Sequence, residues 1–305
     1  MSVVIPAFNA ESTIRNAIAS VLSQTYQHTE ILVVDDGSSD GTSAVVNEFA
    51  DERIRLLRHP SNMGPGAARN TGIQAAKGVW IALLDADDAW RQDRLAKFLD
   101  AADESGGECF LADDIQLCFD TDMGLSPWKS ADISRKLTNW VELTDFLNAG
   151  APALKPMIPV RHIKRHGLWF ETGCRMGEDL EFVCHLFRTG LRLKFVREPM
   201  YLYRLMPGSL SSNPERLREL LAVYDRLLAS SGFGEKERAL LARLRNEVFQ
   251  SLGFEPVRHA LVRGSYGEAV GHLLRKPKLF GVLLRQLPKA FDYWLAARRV
   301  GGALR

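Results

Sequence analysis

The sequence of this 305-residue chain has only four cysteines and no long apolar segment. No two cysteines have the C-x-x-C spacing, and no arrangement of cysteine and histidine matches a zinc site, so the pattern indicates neither a structural zinc nor a disulfide framework. No apolar run reaches the roughly 18 residues that a membrane-spanning helix requires. The run from Ser2 to Pro6 is too short, and lacks the basic flank, for a signal peptide. We therefore expect a cytoplasmic protein with reduced thiols.

The charge of the chain is small overall but unevenly distributed. The net charge is +2, whereas residues 258–305 contain ten Lys and Arg against two Asp and Glu, a net of +8 that leaves −6 on the rest. A basic C-terminal segment on an acidic body favours an anionic partner for that segment. Hydrophobic residues make up 46% of the chain, which is enough to build a packed core.

The first hundred residues alternate apolar strands with helices. The predicted strands are Val3–Ile5, Ile31–Val34, Ile54–Leu57 and Val79–Leu84. The predicted helices are Glu11–Gln24, a helix capped by Ser39 or Asp40 that carries Val45, Val46 and Phe49, and Gly66–Ala76. Apolar strands that alternate with helices are typical of a parallel sheet covered on both faces. The sequence thus predicts an α/β fold.

Polar clusters follow three of these strands. They are Pro6-Ala7-Phe8-Asn9, Asp35-Asp36-Gly37-Ser38 and Asp85-Ala86-Asp87-Asp88. In open parallel sheets, ligands bind beyond the carboxyl ends of the strands. We therefore expect all three clusters to face one crevice.

Five carboxylates lie in these clusters, on Asp35, Asp36, Asp85, Asp87 and Asp88. Like charges this close repel and raise one another's pKa, and a divalent cation removes that penalty. Oxygen-only ligands favour Mg²⁺ or Mn²⁺, bound together with substrate phosphates. The alternative is that the acids are solvated loop residues or helix caps, and this alternative is strongest for Asp88.

The segment from Asn62 to Asn70 opens a helix after two glycines. Its backbone amides and Arg69 suit an anion such as a phosphate. The segment is neither a Walker A loop nor a complete Gly-x-Gly-x-x-Gly motif, because Arg69 stands where the third glycine belongs. The alternative is a helix entry whose Arg69 pairs with a strand-end aspartate.

Gly177-Glu178-Asp179 begins another predicted helix, from about Glu178 to Arg188. Two carboxylates beside a crevice suit a general base. By spacing alone, plain acidic charge at a helix N-terminus is the favoured explanation. The surrounding residues 101–210 have a mixed pattern with short strands such as Leu193–Val196. From residue 214 onward the pattern is helical and is interrupted by Pro277 and Pro288.

Taken together, these motifs resemble the family 2 glycosyltransferases of the GT-A fold. Tyr203-Arg204 and Ser209-Leu210-Ser211 complete the series, and the resemblance covers about residues 1–212. It implies a Rossmann-like, mostly parallel central sheet flanked by helices, with a helical C-terminal extension. Residues 1–100 would bind the nucleotide sugar, residues 101–212 the acceptor, and residues 213–305 would form the basic helical region.

The resemblance also implies roles for individual residues. Pro6, Ala7 and Phe8 would line the pocket of the base, and Asp36 would accept a hydrogen bond from it. Arg69 would lie near the base or the pyrophosphate. Asp85 would lie near the ribose and the metal, and Asp87 would bind the metal directly. The full predicted donor-binding set is Pro6, Ala7, Phe8, Asn9, Asp35, Asp36, Gly66, Arg69, Asp85, Ala86, Asp87, Tyr203 and Arg204.

The implied reaction is transfer of a sugar, with inversion at the anomeric carbon, in a single displacement. Asp179 would be the catalytic base, with Glu178 supporting acceptor binding, and Mg²⁺ or Mn²⁺ would neutralise the departing nucleoside diphosphate. Many family members carry a histidine two residues after the Tyr-Arg arginine, where this chain has Met206. That departure leaves the pyrophosphate contact of this motif unassigned.

The partners follow from the same resemblance. We expect a UDP-hexose donor and a saccharide acceptor, attached to polyprenyl diphosphate, for cell-surface polysaccharide. Trp128, Trp140 and Trp169 could stack on acceptor sugars or belong to the core. The basic C-terminal region fits either peripheral attachment to the inner face of an anionic membrane or packing on the core, and no nucleic-acid module is present. The alternative function is a catalytically inactive carbohydrate- or nucleotide-binding scaffold.

Overall fold

A computed structural model describes residues 1–121, 124–174, 176–205, 214–276 and 279–284 of the chain. The chain divides into two compact units. The first comprises Met1–Ser209 and Ser230–Leu240, and the second comprises Leu210–Ala229 and Leu241–Arg305. The predicted division of the first 212 residues into a donor half and an acceptor half stays a prediction.

The first unit begins with the predicted alternation of strands and helices. Its elements are β1 (Ser2–Ala7), α1 (Ile14–Leu22), β2 (Glu30–Asp35), α2 (Thr42–Asn47), β3 (Ile54–Arg58), α3 (Pro65–Ala75) and β4 (Trp80–Leu83). Val3, Val4 and Ile5 are fully buried, as β-branched residues of a central strand should be. Helix α1 is shorter than predicted, and Phe49 lies beyond the end of α2. The side chain of Asp40 accepts the Thr42 amide, but the N-cap residue of α2 is Gly41 and no side chain caps the helix, so the predicted cap at Ser39 or Asp40 is wrong.

The remaining elements of the first unit enlarge the sheet. They are β5 (Ala89–Trp90), α4 (Arg94–Glu104), β6 (Cys109–Thr121), β7 (Gly124–Ser130), a 3₁₀ turn (Ile133–Arg135), β8 (Trp140–Val141), α5 (Leu143–Asn148), β9 (Met157–Pro159), α6 (Val160–His166), α7 (Glu178–Arg188) and β10 (Arg192–Arg204). Helix α7 has the predicted bounds. The short strand predicted at Leu193–Val196 is part of the much longer β10.

The strands form one sheet in the order β3-β2-β1-β4-β9-β6-β10-β5, with β7 beside β6 and β8 beside β10. Strands β1, β2, β3 and β4 are parallel, and β6 is parallel to β10, whereas β9 joins β4 and β6 antiparallel. The α/β fold with a central sheet flanked by helices is therefore confirmed. Ala7, Asp35 and Arg58 pair in register at the ends of neighbouring strands. This register brings the residues that follow β1 and β2 to one edge of the sheet.

The second unit is helical among its described residues. It contains α8 (Pro214–Ala229), most of α9 (Glu235–Val262) and α10 (Tyr266–Arg275). A small core joins the end of α9 to α10 and the residues after it, through Phe254, Val257, Ala260, Ala269, Leu273, Leu279 and Val282. The predicted break at Pro277 and that at Pro288 lie outside the described residues. In the described parts of the chain, no helix combines the length and apolarity that crossing a bilayer requires.

The four cysteines all lie in described segments, and no disulfide joins them. Burial raises the pKa of Cys118 to about 11, with a further contribution from the charge of Asp88. A thiol with a raised pKa is a poor nucleophile at neutral pH. Cys118 is therefore an unreactive core thiol.

Candidate active site

A cavity of about 660 Å³ lies beyond the carboxyl ends of β1, β2 and β4. Its walls come from the loop after β1, from the start of α3 and from the loop after β4. Nine of the predicted donor-binding residues line it: Pro6, Ala7, Phe8, Asn9, Asp36, Arg69, Asp85, Ala86 and Asp87. The parallel strands therefore bring parts of all three polar clusters together as expected, although Asp35, Gly37, Ser38 and Asp88 of those clusters do not line the cavity.

The structure corrects the placement of Asp35 and Gly66, since neither lines the cavity. The carboxylate of Asp35 is fully buried, where it accepts the Ser38 amide at 2.8 Å and the hydroxyl of Ser43. It therefore shapes the loop after β2. Gly66 is required for packing, because a Cβ at this position would lie 2.2 Å from the carbonyl oxygen of Glu171.

Asp36 lines the cavity and also anchors its far wall. Its carboxylate accepts the amides of Met63 at 2.9 Å and Gly64 at 2.8 Å, and it lies 2.7 Å from Nδ1 of His59. The other ring nitrogen of His59 lies 2.9 Å from the hydroxyl of Thr71 in α3. Asp36 thus ties the end of β2 to the loop that enters α3.

The acids after β4 form a compact group. Asp85, Asp87 and Asp88 each offer a carboxylate oxygen, and these oxygens all lie within 4.8 Å of one another. Asp87 is the most accessible member of the group, and its partial enclosure together with the charge of Asp85 raises its pKa. Carboxylate oxygens are the ligands that Mg²⁺ and Mn²⁺ prefer. The donor set therefore fits a divalent cation.

Asp88 is neither a solvated loop acid nor a helix cap. It is buried, and it accepts hydrogen bonds from the Tyr201 hydroxyl at 2.7 Å and from the Arg204 amide at 2.8 Å. Burial, together with the charges of Asp87 and Asp85, raises its pKa well above the usual range. Its role in the structure is to fix the loop after β4 against β10.

Tyr203 and Arg204 do not line the cavity. The guanidinium of Arg204 is buried, donates to the carbonyl oxygen of Asp87 at 2.7 Å, and contacts the carboxylate of Asp120. Arg204 thus holds the backbone of the acidic loop from behind. The neighbouring motif positions Met206 and Ser209-Leu210-Ser211 lie outside the described residues.

Arg69 is buried at the centre of an ion-pair cluster. Its guanidinium lies 2.8 Å from Asp85, 2.6 Å from Glu178 and 3.1 Å from Asp179. Burial alone would lower its pKa, but the charges of Asp179, Asp85 and Glu178 outweigh burial and raise it well above its usual value. The alternative in which Arg69 pairs with a strand-end aspartate is therefore what this structure contains.

Lys155 completes this cluster. Its ammonium lies 2.7 Å from Asp85 and 2.5 Å from Asp179. Burial disfavours the charged amine, but the charges of Asp179 and Asp85 raise the pKa of Lys155 far above its ordinary value. Burial favours the neutral form of Asp85, yet Lys155 and Arg69 together hold its pKa well below the usual range.

Comparisons with known proteins agree with this geometry. Residues 2–150 match the family model described as Glycosyl transferase family 2. Over 308 aligned residues the chain is 30% identical to the succinoglycan biosynthesis protein ExoO of Rhizobium meliloti (strain 1021), an alignment that covers 99% of this chain and 79% of that protein. The chain belongs to glycosyl transferase family 2. This glycosyltransferase is also 48% identical over 95 residues to the Escherichia coli protein named UDP-Glc:alpha-D-GlcNAc-diphosphoundecaprenol beta-1,3-glucosyltransferase WfgD, covering 31% of this chain and 38% of that protein.

Two solved structures share the fold of this glycosyltransferase. S. aureus TarS 1-349 in complex with UDP-GlcNAc superposes with a TM-score of 0.65 at 16% identity, covering 89% of this chain and 88% of that one. The mannosyltransferase PcManGT from Pyrobaculum calidifontis, in complex with GDP-Man and Mn²⁺, gives a TM-score of 0.62 at 18% identity, covering 99% and 84%. At these identities the likeness establishes the fold, and the GT-A architecture of the glycosyltransferase is confirmed.

Sequence reasoning missed three residues of this site: His59, Lys155 and Tyr201. Lys155 stands between Leu154 and Pro156 in a stretch without any motif. The sequence signal available for it is a single charge immediately before an apolar strand. Tyr201 contacts Asp88, and His59 contacts Asp36. The residues of each pair are distant in sequence, so no local pattern encodes these contacts.

The tryptophans expected in the acceptor half differ in accessibility. The ring of Trp140 is covered by the cationic groups of Arg192, at 4.4 Å, and Lys194, at 5.1 Å. Trp169 is 47% exposed. The side chain of Trp128 lies outside the described part of the chain. An acceptor role for these residues stays a prediction, with Trp169 the accessible candidate.

Proposed function

We propose that this glycosyltransferase transfers a hexose from a UDP-sugar to a hydroxyl group of a lipid-linked saccharide, with inversion at the anomeric carbon, during synthesis of a cell-surface polysaccharide. The observation that carries the proposal is the juxtaposition, around Arg69, of Asp85 at the donor cavity and Asp179 at the start of α7. A base and a donor site must lie side by side for a single displacement.

The donor assignment is supported by the cavity and by the relatives. Pro6, Ala7 and Phe8 give the cavity an apolar wall that suits a flat base, and Phe8 is 47% exposed. A glucosyltransferase named for UDP-Glc is among the relatives, and a structural neighbour was solved with UDP-GlcNAc. Another neighbour was solved with GDP-Man, so the base is a point that binding experiments must decide.

Asp87 and Asp85 would hold a divalent cation, Mg²⁺ or Mn²⁺. Asp87 reaches the cavity, and partial enclosure together with the charge of Asp85 raises its pKa. When bound, such an ion would neutralise the charge that develops on the departing diphosphate. Arg69 lines the same cavity, where its guanidinium pairs with Asp85.

Asp179 is the proposed catalytic base. In a single displacement, the acceptor oxygen bonds to the anomeric carbon as the bond from that carbon to the diphosphate oxygen breaks, and the hydroxyl proton passes to Asp179. Asp179 keeps 23% of its side chain exposed, whereas Glu178 is more deeply buried against Arg69 at 2.6 Å. This difference supports Asp179 as the base and Glu178 as its supporting neighbour.

Attachment to an anionic membrane surface is proposed for the second unit. Tyr266, Val270 and Leu274 lie four residues apart on α10 and are 69%, 51% and 68% exposed. Arg275 and Lys276 follow them and are exposed. An apolar stripe beside basic residues suits the boundary between lipid headgroups and acyl chains.

Vesicle co-sedimentation tests this attachment. We expect the full chain to bind vesicles containing an anionic phospholipid and to release them at high salt. Replacing Tyr266, Val270 and Leu274 together by serine should abolish binding, whereas the control Val79→Ser, another exposed apolar residue, should not. Undiminished binding by the triple variant would refute the role of this stripe.

Calorimetry with UDP-, GDP- and dTDP-sugars, each with and without Mn²⁺, tests the donor and metal assignments. We expect one nucleotide class to bind, in a way that requires both the ion and Asp87. Asp87→Ala should lose this binding, while Asp100→Ala, on the exposed surface of α4, should retain it. Absence of metal-dependent binding to every donor would favour an inactive scaffold instead.

A further inference from the structure

Lys155 closes a ring of alternating charges in the site. Arg69 contacts one oxygen of Asp85 and one of Asp179, at 2.8 and 3.1 Å. Lys155 contacts the other oxygen of each carboxylate, at 2.7 and 2.5 Å. Each of the two carboxylates is therefore held through both of its oxygens, one by each cation. Two contacts of this kind fix the plane of a carboxylate as well as its position.

The backbone around Lys155 is itself held in place. Its carbonyl oxygen accepts a hydrogen bond from the guanidinium of Arg94 at 2.8 Å, and Arg94 is fully buried. Strand β9 begins two residues later, at Met157. The Lys155 side chain is only 8% exposed, so its ammonium has little freedom to leave the two carboxylates. A rigid support of this kind is what orients a catalytic group.

The two carboxylates belong to opposite sides of the proposed reaction. Asp85 follows β4 and lines the donor cavity, whereas Asp179 begins α7 and is the proposed base. Of the two cations Arg69 and Lys155, Glu178 forms an ion pair with Arg69 only, at 2.6 Å. The ammonium of Lys155 therefore distinguishes Asp179 from its acidic neighbour and joins it to the donor side.

We propose that Lys155 is a positioning residue that orients the carboxylate of Asp179 toward the acceptor and couples it to Asp85 at the donor cavity. The proposal rests on the function proposed above for Asp179. A purely structural role for Lys155 is the competing explanation, because a buried cation between two carboxylates also contributes to the stability of the fold.

A double-mutant cycle separates the two explanations. The variants are Lys155→Met, Asp179→Asn and the two combined, with Lys155→Arg as the variant that keeps the cation and Lys164→Met, at an exposed lysine of α6, as the control. The measurements are kcat and KM for Mn²⁺-dependent hydrolysis of the nucleotide sugar that binds in the calorimetric screen. The dissociation constant of the corresponding nucleoside diphosphate and thermal unfolding are measured for every variant.

We expect Lys155→Met to lower kcat by about 10- to 100-fold while KM and the diphosphate dissociation constant change by less than about threefold. In the Asp179→Asn background the same substitution should change kcat by less than about threefold, because the group it orients is already inactive. Lys155→Arg should recover part of the lost kcat. Lys164→Met should match the unmodified enzyme.

Three results would overturn the proposal. They are an unchanged kcat in a folded Lys155→Met variant, an equal loss in both backgrounds, and a loss confined to KM and diphosphate binding. If Lys155→Met does not fold, Lys155→Arg replaces it in the cycle. A kcat that falls less than in Asp179→Asn, with unchanged KM and with no further fall in the Asp179→Asn background, supports positioning. A normal kcat with raised KM contradicts it. Full activity of Asp179→Asn would contradict the proposed base itself, which is distinguishable from failure of Lys155 alone.

Discussion

The hydroxyl of Tyr201 donates a hydrogen bond to Asp88 at 2.7 Å and accepts one from the backbone amide of Asp85 at 3.2 Å. One side chain of β10 thus satisfies two polar groups of the acidic loop after β4. Tyr201 is fully buried, so its hydroxyl makes these contacts away from bulk solvent. The geometry of the proposed metal ligands therefore depends on a residue that does not touch the donor cavity.

Tyr201→Phe should lower the free energy of unfolding by about 1–3 kcal/mol, since a buried carboxylate and a partly buried amide each lose a partner. Urea denaturation measures this loss. Tyr26→Phe, at a partly exposed ring, is the control and should stay within about 0.5 kcal/mol. A variant as stable as the unmodified protein would mean that water or a rearranged loop satisfies both groups.

Arg94→Met should destabilise the protein by about 3–5 kcal/mol, because it leaves a buried charge unpaired. Arg94 is fully buried and donates two hydrogen bonds to Asp113, at 3.0 and 2.8 Å. Burial raises the pKa of Asp113 although Arg94 opposes that rise, so the pair is costly to dehydrate. The combined Arg94→Met and Asp113→Leu variant should be more stable than Arg94→Met alone, as guanidinium chloride unfolding can measure. A double variant less stable than the single one would contradict this account.

Gly66→Ala should reduce stability by about 1–3 kcal/mol, because the new methyl group would lie 2.2 Å from the backbone oxygen of Glu171, which cannot rotate away. Differential scanning calorimetry gives the change in Tm. The matched control is Gly271→Ala in α10, where a Cβ meets open space. It should leave Tm unchanged or raise it slightly, because alanine favours a helix over glycine. A normal Tm for Gly66→Ala would show that the two segments separate readily.

Glu30 should make the stability of the protein depend on pH in the acidic range. Burial alone would raise its pKa, but hydrogen bonds from the Ser2 hydroxyl and from the amides of Lys77 and Gly78, with the charge of Arg55, lower it. The folded state therefore binds the proton more weakly than the unfolded state. The stabilisation is complete above the unfolded pKa and is lost as pH falls through the folded pKa.

Glu30→Gln should consequently lower the free energy of unfolding by about 1 kcal/mol at pH 7, since hydrogen bonds to a neutral amide are weaker than those to a carboxylate. Its stability should decline less than that of the unmodified protein between pH 5 and more acidic values, in urea titrations at a series of pH values. Parallel curves for the two proteins would exclude Glu30 as a source of the pH dependence.

The sequence alone determined the elements of the parallel half of the fold and the position of α7. The apolar runs within β1, β2 and β4 predict buried strands. Gly177 followed by acidic residues marks the start of α7. Because parallel strands end at one edge, the acids after β4 could also be placed beside the loop after β1. Roles assigned to these residues in catalysis stay predictions.

Only the tertiary structure decided which charges meet. Arg69 reaches Asp179, Lys155 bridges Asp85 and Asp179, and Asp88 turns inward to Tyr201. The partners in these pairs are separated by 24 to 113 residues along the chain. Local periodicity reports which face of an element is buried, whereas an ion pair depends on where two elements come together. For that reason the sequence located the acidic site, and the fold selected the cations that hold it.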